Sequence, residues 1–152
     1  MSVSIAMEPP SDPEVIRLIE ELDAYQRALY PASSCQLLDL EALSADNIRF
    51  FVARANGEAL GCGALRVQAY DGYGEVKRMF VQPRARGQRL GWRLLEAIEA
   101  QARREQCQFL RLETGINQPE ALGLYRAAGF VECAPFDGYQ PDPLSVFMEK
   151  PL

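Results

Sequence analysis

Residues 81–92 read Val-Gln-Pro-Arg-Ala-Arg-Gly-Gln-Arg-Leu-Gly-Trp, and this segment constrains the structure more than any other part of the chain. The run before it, residues 76–81, predicts a strand. After a proline turn and a short loop rich in arginine and glycine, apolar residues recur at helical spacing, at Leu94, Leu95, Ile98 and Ala102. The segment therefore predicts a strand, a basic loop and the first turn of an amphipathic helix.

This arrangement is typical of an anion site. The N–H groups in the first turn of a helix have no partner inside the helix, and the helix dipole favours negative charge there. Gly87 and Gly91 allow the backbone to approach a ligand closely. The loop thus indicates a phosphate group as the ligand, with an ordinary solvated turn as the alternative.

Two common phosphate-binding motifs are excluded. A Walker A loop needs a lysine directly after a glycine, and neither of the two lysines, Lys77 and Lys150, follows one. A dinucleotide fingerprint needs Gly-x-Gly-x-x-Gly before a helix, but Arg66 stands where the third glycine would follow the Gly-Cys-Gly run at 61–63.

The charge of the chain is unevenly distributed. Residues 76–104 carry eight basic and two acidic side chains, whereas the whole chain has a formal net charge of −5. A basic patch on an acidic protein concentrates positive potential where one anion would dock. The acidic remainder argues against nucleic acid and anionic membranes as partners, because both would require broad neutralisation of negative charge.

Length and composition predict one domain over residues 1–152, of which 48% are hydrophobic. No apolar run approaches the roughly 20 residues of a membrane span, and the N-terminus lacks the pattern of a signal peptide.

Four scattered cysteines, Cys35, Cys62, Cys107 and Cys133, predict buried free thiols in a reducing compartment, and hence a cytoplasmic protein. Because the chain has no histidine, Ser-His-Asp and Cys-His mechanisms are excluded and no metal is expected.

Local signals predict the order of the elements. Ser11 and Glu14 form a capping box before a helix that Pro31 ends. Asn56 and Gly57 predict a two-residue hairpin turn. The predicted strands are 3–7, 48–55, 58–67, 75–81, 109–113, 130–133 and 145–150, with a turn at 71–74 and further helices near Leu40, at 90–105 and at 119–128, the last ended by Gly129.

This order predicts an α/β fold with a mixed sheet. Because a helix connects strands 75–81 and 109–113, these two strands are expected to be parallel neighbours joined by a right-handed crossover. The other connections favour antiparallel pairing. The parallel pair would then lie next to the basic loop.

Three segments together resemble the GCN5-related N-acetyltransferase (GNAT) family, over most of the chain. Residues 75–81, Glu-Val-Lys-Arg-Met-Phe-Val, are similar to the family's central fourth strand. Residues 86–91, Arg-Gly-Gln-Arg-Leu-Gly, resemble its Gln/Arg-x-x-Gly-x-Gly/Ala pyrophosphate loop. Residues 118–130 resemble its Asn-x-x-Ala-x-x-Leu-Tyr-x-x-x-Gly-Phe segment. The resemblance implies the GNAT-like fold, a mostly antiparallel mixed sheet whose central parallel pair splays at the cofactor site.

The resemblance also implies an acetyl-CoA site. Main-chain groups of Met79 and Val81 would pair with the pantetheine arm. Two positions depart from the family pattern. Arg89 replaces the first glycine of the loop. Gln118 replaces the asparagine of the third segment and is preceded by Asn117, so either side-chain amide could take the role of that asparagine. The backbone amides that would hold the pyrophosphate belong to Arg86, Gly87, Gln88, Arg89, Leu90, Gly91 and Trp92.

Catalytic roles follow from the same resemblance. Tyr125 matches the family's general acid, which would protonate the leaving thiolate; its alternative role is that of a core aromatic residue. A main-chain N–H near Phe80 or Met79 would polarise the thioester carbonyl.

The general base is predicted from the strand before the loop. Glu75 occupies a position where some family members carry a catalytic glutamate, and strand alternation predicts that it shares a face with Met79 and Val81. The alternatives for Glu75 are a solvated strand end or an ion pair with Lys77. Two further candidates for the base are Glu113 and Asp71.

The resemblance places the acceptor between residues 25–40 and the late loop, residues 134–144. Asp137 and Asp142 of the late loop, beside Phe136 and Tyr139, could hold a cationic amine. A small amine, an amino acid, an antibiotic-like amine and a peptide N-terminus or lysine all stay open as acceptors. Dimers are common in the family, which leaves a homodimer open.

The resulting prediction is an acetyl-CoA-dependent N-acetyltransferase that acts by direct attack of a primary amine in a ternary complex. Two alternatives belong to other classes of protein. One is a non-catalytic acyl-CoA-binding module on the same fold. The other is a binding protein for a different phosphorylated ligand.

Overall fold

The computed structural model describes residues 2–34 and 40–152, which build one seven-stranded sheet with the order β1-β2-β3-β4-β5-β7-β6. Its strands are β1 Val3–Met7, β2 Ile48–Ala55, β3 Glu58–Gln68, β4 Tyr73–Val81, β5 Phe109–Gly115, β6 Val131–Glu132 and β7 Ser145–Pro151. Its α-helices are α1 Pro13–Leu29, α2 Leu40–Leu43, α3 Leu90–Arg104 and α4 Pro119–Ala127, and short 3₁₀ turns occupy Ala32–Ser34, Ala69–Asp71 and Pro83–Ala85.

The parallel pair that the sequence predicts is β4 and β5, and these strands separate before they end. They pair only from Tyr73 opposite Phe109 to Val76 opposite Leu112. Beyond that point β4 continues along β3, and β5 continues along β7. The splay of the central strands is therefore confirmed. It leaves a V-shaped opening in the middle of the sheet.

A bulge interrupts β4 within this opening. Cys62 of β3 lies opposite Phe80 and Ala64 lies opposite Lys77, so that two residues of β4, Arg78 and Met79, face one residue of β3. Arg78 adopts a left-handed backbone conformation with φ +58°. The extra residue reverses the alternation of side chains along the rest of the strand.

The bulge contradicts the prediction that Glu75 shares a face with Met79 and Val81. Met79 and Val81 pack against the apolar cluster that contains Val76 and α3. Glu75 precedes Val76 in the strand and therefore points to the opposite face, which α1 covers. A regular period of two cannot be carried through a strand that contains a bulge.

Each face of the sheet carries one apolar layer. On one face α3 and α4 bury Leu94, Ile98 and Leu122 against β3, β4 and β5. On the other face α1 buries Leu18 and Leu22 against β2 and β3. The late loop covers the remainder of that second face, where Phe136 makes edge-to-face ring contacts with Tyr73 and Phe147 (centroids 5.7 and 5.8 Å apart).

The hairpin prediction is confirmed, and two local predictions are wrong. Asn56 and Gly57 have φ +53° and +81°, as a two-residue turn between twisted strands requires. The cap of α1 is Asp12, not Ser11: the Asp12 carboxylate accepts the Glu14 N–H at 2.9 Å. The turn predicted at 71–74 lies earlier, because β4 begins at Tyr73 and the chain turns over Ala69–Asp71.

Three cysteines are free thiols. Cys62 and Cys107 are buried and Cys133 is half-buried, whereas Cys35 lies outside the described residues. Within residues 2–34 and 40–152, no helix is long and apolar enough to cross a membrane.

Candidate active site

A cavity of about 510 Å³ occupies the opening between β4 and β5. One wall is β4 from Val76 to Val81, and another is the end of β5 from Glu113 to Gly115. Residues of α1, the loop before α3, the first turn of α3 and one face of α4 complete the lining. Arg86, Gly87 and Arg89 of the basic loop line the same cavity, so that the anion site and the opening in the sheet form one continuous site.

The loop before α3 keeps a glycine-like backbone although one motif glycine is replaced. Gly87 has φ +87°, and Arg89, the N-cap residue of α3, has φ +61° and ψ +26°. A side chain costs free energy in this left-handed region, and glycine does not. The Arg89 guanidinium lies 5.6 Å from the centre of the Trp92 ring, a cation–π contact that keeps the side chain beside the loop.

The loop presents donors to the cavity. The first hydrogen bond of α3 joins the Arg93 N–H to the Arg89 carbonyl at 3.0 Å, so the N–H groups of Leu90, Gly91 and Trp92 precede it and have no partner within the helix. Of the residues predicted for this loop, all line the cavity except Gln88, which is exposed. This arrangement can bind a phosphate group through backbone N–H groups, the helix dipole and guanidinium charge.

Arg86 connects the loop with α1. Its Nε donates to the carbonyl of Val81 at 3.3 Å, and its guanidinium lies 6.0 Å from the centre of the Tyr25 ring. Arg86 therefore lies between the end of β4 and the α1 side of the cavity.

The free edge of β4 faces the same cavity. Met79, Phe80 and Val81 line it, and they lie beyond the last residue of β4 that pairs with β5. Apart from the Val81 carbonyl, which accepts the Arg86 Nε–H, this edge of β4 offers main-chain groups to an extended ligand, which could add to the sheet as a strand would.

Tyr125 reaches the cavity from α4. Its side chain is buried, and its ring makes an edge contact with Phe130 at 5.8 Å between centroids. Burial, together with the nearby Glu113 carboxylate, raises the pKa of the Tyr125 hydroxyl well above its usual value. The Tyr125 hydroxyl is therefore protonated at neutral pH.

Glu113 lies on β5 directly after the point where the two strands part, and it lines the cavity. Burial raises the pKa of its carboxyl to about 7, although the Ser145 hydroxyl donates a hydrogen bond at 2.8 Å that opposes this shift. A carboxyl with this pKa is poised to exchange protons near neutral pH. Leu112 packs with Tyr125 on the α3 side, so Glu113 points to the opposite face. The opening therefore brings the hydroxyl of Tyr125 on one face of the sheet and the carboxyl group of Glu113 on the other to the same cavity.

Glu75 occupies a different place from the one that the sequence predicts. It is fully buried and does not line the cavity. The Tyr139 hydroxyl donates to its carboxylate at 2.7 Å, and the Lys77 ammonium lies 3.3 Å away. The structure therefore contains the ion pair with Lys77 that the sequence left open as an alternative. Asp71, the other candidate base, is exposed in a 3₁₀ turn and lies outside the lining.

The two late-loop carboxylates already have partners. Gln68 Nε2 donates to Asp137 at 3.1 Å, and the Ser34 hydroxyl donates to Asp142 at 2.6 Å. That hydrogen bond is the main reason why the pKa of Asp142 lies below its usual value. Neither carboxylate lines the cavity, whereas Leu144 does. Residues 35–39 of the predicted acceptor segment lie outside the described residues.

The structure shows which of the two candidate amides at the start of α4 reaches the cavity. Gln118 lines the cavity, whereas the Asn117 side chain is exposed. Within the described ranges, no group of three or more Cys, Asp or Glu side chains is arranged to hold a metal ion.

Comparison with known proteins agrees with this geometry. The model of the acetyltransferase (GNAT) family matches residues 15–130. The chain is 55% identical over 151 residues to a protein named IAA acetyltransferase from Azospirillum brasilense, and the match covers 99% of each sequence.

Solved structures share the fold. A proposed acyl-CoA N-acyltransferase from Klebsiella pneumoniae is 45% identical, with a TM-score of 0.83 over 99% of this chain and 97% of that one. The PaiA N-acetyltransferase of Thermoplasma acidophilum, solved in complex with coenzyme A, has a TM-score of 0.76 over the full length of both chains. At 19% identity, this second likeness establishes the fold alone.

Proposed function

The chain belongs to the GNAT acetyltransferase family and is an N-acetyltransferase, and we propose that it uses acetyl-CoA, with Tyr125 as general acid and Glu113 as general base. The single observation that carries this proposal is the opening between β4 and β5, which connects the proton donor on one face to the carboxylate on the other. The chemistry of acyl transfer requires both groups at one cavity.

The residues that would hold acetyl-CoA fit its chemistry. The backbone N–H groups at residues 87–92 and the guanidinium groups of Arg86 and Arg89 suit a pyrophosphate. The free edge of β4 at Met79 and Val81 suits an extended amide-bearing arm, and Gln118 offers a side-chain amide beside it. When bound, acetyl-CoA supplies the activated acetyl group as a thioester.

The protonated Tyr125 suits the acid step. Attack by the amine nitrogen forms a bond to the acetyl carbon, and the carbon–sulfur bond then breaks. A thiolate left in a buried site needs a proton, and the raised pKa of Tyr125 keeps its hydroxyl protonated throughout the neutral range. The main-chain N–H groups near Met79 and Phe80 would stabilise the charge on the carbonyl oxygen.

Glu113 suits the base step better than Glu75 does. An amine must lose a proton to become a nucleophile, and the group that accepts it must reach the cavity. Glu113 lines the cavity, whereas Glu75 is held by Lys77 and Tyr139 behind the wall. We therefore assign Glu75 a supporting role beneath the late loop.

The acceptor half of the cavity suits an amine on an apolar or aromatic body. Leu22, Tyr25, Tyr30 and Leu144 line this half, and Asp137 and Asp142 are engaged elsewhere. Among the charged groups that line the cavity, Glu113 on β5 is the carboxyl group that we propose to face the amine, whereas Glu120 lies on α4 and Lys77 is paired with Glu75. The 55%-identical relative makes IAA the first compound to test.

The test incubates the protein with acetyl-CoA and a panel containing IAA, aromatic amines, amino acids, a polyamine and a peptide. Release of the CoA thiol and the product mass are followed together. Acetylation of an aromatic monoamine or IAA, and its loss in Tyr125→Phe, would support the proposal. Binding of acetyl-CoA without transfer to any acceptor would favour the non-catalytic acyl-CoA-binding module.

We also propose a cytoplasmic location. Three free thiols in the described part of the chain, two of them buried, are typical of proteins in a reducing compartment. Fractionation of cells that express the full chain, followed by immunodetection, tests this; recovery with the extracellular or membrane fraction would contradict it.

A further inference from the structure

Tyr30 connects the acceptor side of the cavity with the start of α4. It is the C-cap residue of α1 and is buried, and its side chain lines the cavity. From there the ring extends to the junction between β5 and α4, residues 115–118. A side chain from the first helix thus contacts the segment that leads to the general acid.

The absence of a side chain at Gly115 makes room for this contact. A Cβ atom at Gly115 would lie 1.8 Å from the Tyr30 hydroxyl oxygen and 2.1 Å from Cζ of the ring. Any residue other than glycine at this position would displace the ring. Gly115 and Tyr30 therefore fit each other, and the fit fixes the position of the hydroxyl group.

The Tyr30 hydroxyl makes two hydrogen bonds at the junction. It accepts the main-chain N–H of Asn117 at 3.1 Å and donates to Oε1 of Gln118 at 3.2 Å. Because the amide oxygen of Gln118 receives this bond, the NH₂ group of the same amide is left on the other side. The hydroxyl thereby selects one of the two orientations of the Gln118 amide.

Gln118 is not used as a helix cap, although it stands at the N-cap position of α4. Its side chain makes no capping hydrogen bond, and glutamine is not among the residues favoured there. Its side chain instead lines the cavity, beside the free edge of β4. The position is therefore occupied by an amide that serves the cavity rather than the helix.

We propose that Tyr30 is a positioning residue for the acyl-CoA arm: its hydroxyl holds the Gln118 amide so that the NH₂ group donates to a carbonyl oxygen of the bound pantetheine. This inference rests on the proposed function. It assigns to an α1 residue a role in cofactor binding in addition to its place on the acceptor side.

Calorimetry with two ligands tests the proposal. Tyr30→Phe keeps the ring against Gly115 and removes only the hydroxyl. We expect it to weaken acetyl-CoA binding by about threefold to tenfold, the value of one hydrogen bond. Binding of adenosine 3′,5′-bisphosphate, which lacks the pantetheine arm and reaches only the loop, should not change. An equal loss for both ligands would overturn the proposal, because it would indicate general disturbance of the site.

A double-mutant cycle with Gln118→Ala supplies the second readout. If Tyr30 acts through Gln118, Tyr30→Phe should have no further effect on acetyl-CoA binding once the amide is gone. Independent, additive losses would overturn the proposal, as would an unchanged affinity in Tyr30→Phe alone. Failure of the wild-type protein to bind acetyl-CoA would instead contradict the proposed function, so the two failures are distinguishable.

Discussion

The Tyr139 hydroxyl lies 2.7 Å from a carboxylate oxygen of Glu75 and donates a hydrogen bond to it. The same hydroxyl is 2.6 Å from the Lys77 ammonium, so one tyrosine of the late loop contacts both members of a buried ion pair. The late loop is thereby anchored to β4 beneath the cavity. This relationship separates Glu75 from Glu113, whose side chain lines the cavity.

Replacement of Glu75 by Gln should affect stability more than chemistry. The side chains of Glu75 and Lys77 are 1% and 7% exposed, and loss of one partner leaves the other charge buried. Breaking such a pair costs about 3–5 kcal/mol of the free energy of unfolding. Urea denaturation should show this loss, while the rise of kcat/KM with pH near neutrality should persist. A stable variant without that rise would make Glu75 the base.

Glu113→Gln should remove the pH dependence itself. The pKa of Glu113 is raised to about 7, and its deprotonated form is the proposed base, so kcat/KM should fall about tenfold per pH unit below that value. The plot of kcat/KM against pH for the variant should lack this acidic limb. Ser145→Ala is the matched control: it removes a hydrogen bond that lowers the pKa of Glu113, so the limb should move to higher pH. A limb that persists in Glu113→Gln would refute the assignment.

Local sequence signals predicted much of the fold. The Asn56-Gly57 turn and the basic loop before α3 were identified correctly, because turn and helix-start chemistry depends on neighbouring residues alone. The cap of α1 was placed one residue early, since Ser11 and Asp12 are both good caps and only the folded backbone selects Asp12. Segment length and turn signals therefore predict most of the order of helices and strands, and the errors in that order concern only where the elements begin and end.

Features that depend on tertiary contacts were not predictable in this way. No glycine indicates the bulge at Arg78. The left-handed conformation is adopted there by an arginine, whose side chain pairs with Asp23 of α1. Without the bulge, the alternation of β4 could not be followed correctly. Glu113 was only a secondary candidate, since its proximity to the cavity depends on where β5 leaves β4.

Tyr125→Phe should separate binding from turnover. The ring and its contact with Phe130 are retained, so the affinity for acetyl-CoA should be close to that of the wild type. Loss of the proton donor should lower kcat by about 100-fold or more. Calorimetry and the thiol-release assay provide the two measurements. Turnover at the wild-type rate would exclude Tyr125 as the acid.

Two substitutions of Arg89 separate the effect of its charge on CoA binding from the effect of its left-handed backbone on stability. Arg89→Gly and Arg89→Ala both remove the guanidinium group and should weaken CoA binding alike. Only alanine keeps a Cβ at φ +61°, so the alanine variant should be less stable than the glycine variant by about 1 kcal/mol. Thermal denaturation of the pair measures this difference. Equal stabilities would show that the left-handed conformation carries no cost here.

Gly115→Ala should displace Tyr30. The added Cβ would overlap the Tyr30 hydroxyl and ring, and overpacking of this kind costs about 1–3 kcal/mol. Acetyl-CoA affinity should fall with it, because the Gln118 amide loses its partner. Gly123→Ala in α4 is the control, since a Cβ there meets no atom within 4 Å and alanine favours the helix. Wild-type stability of Gly115→Ala would contradict the fit between Gly115 and Tyr30.

A thermal-shift titration with acetyl-CoA, CoA, ATP and NAD tests the central claim most directly. A ligand that binds only the folded state stabilises it by about 2.7 kcal/mol at a hundredfold excess over its Kd. We expect acetyl-CoA and CoA to raise the Tm, and ATP and NAD to leave it nearly unchanged. A folded protein whose Tm does not respond to acetyl-CoA or CoA, or responds equally to ATP, would contradict an acyl-CoA site between β4 and β5.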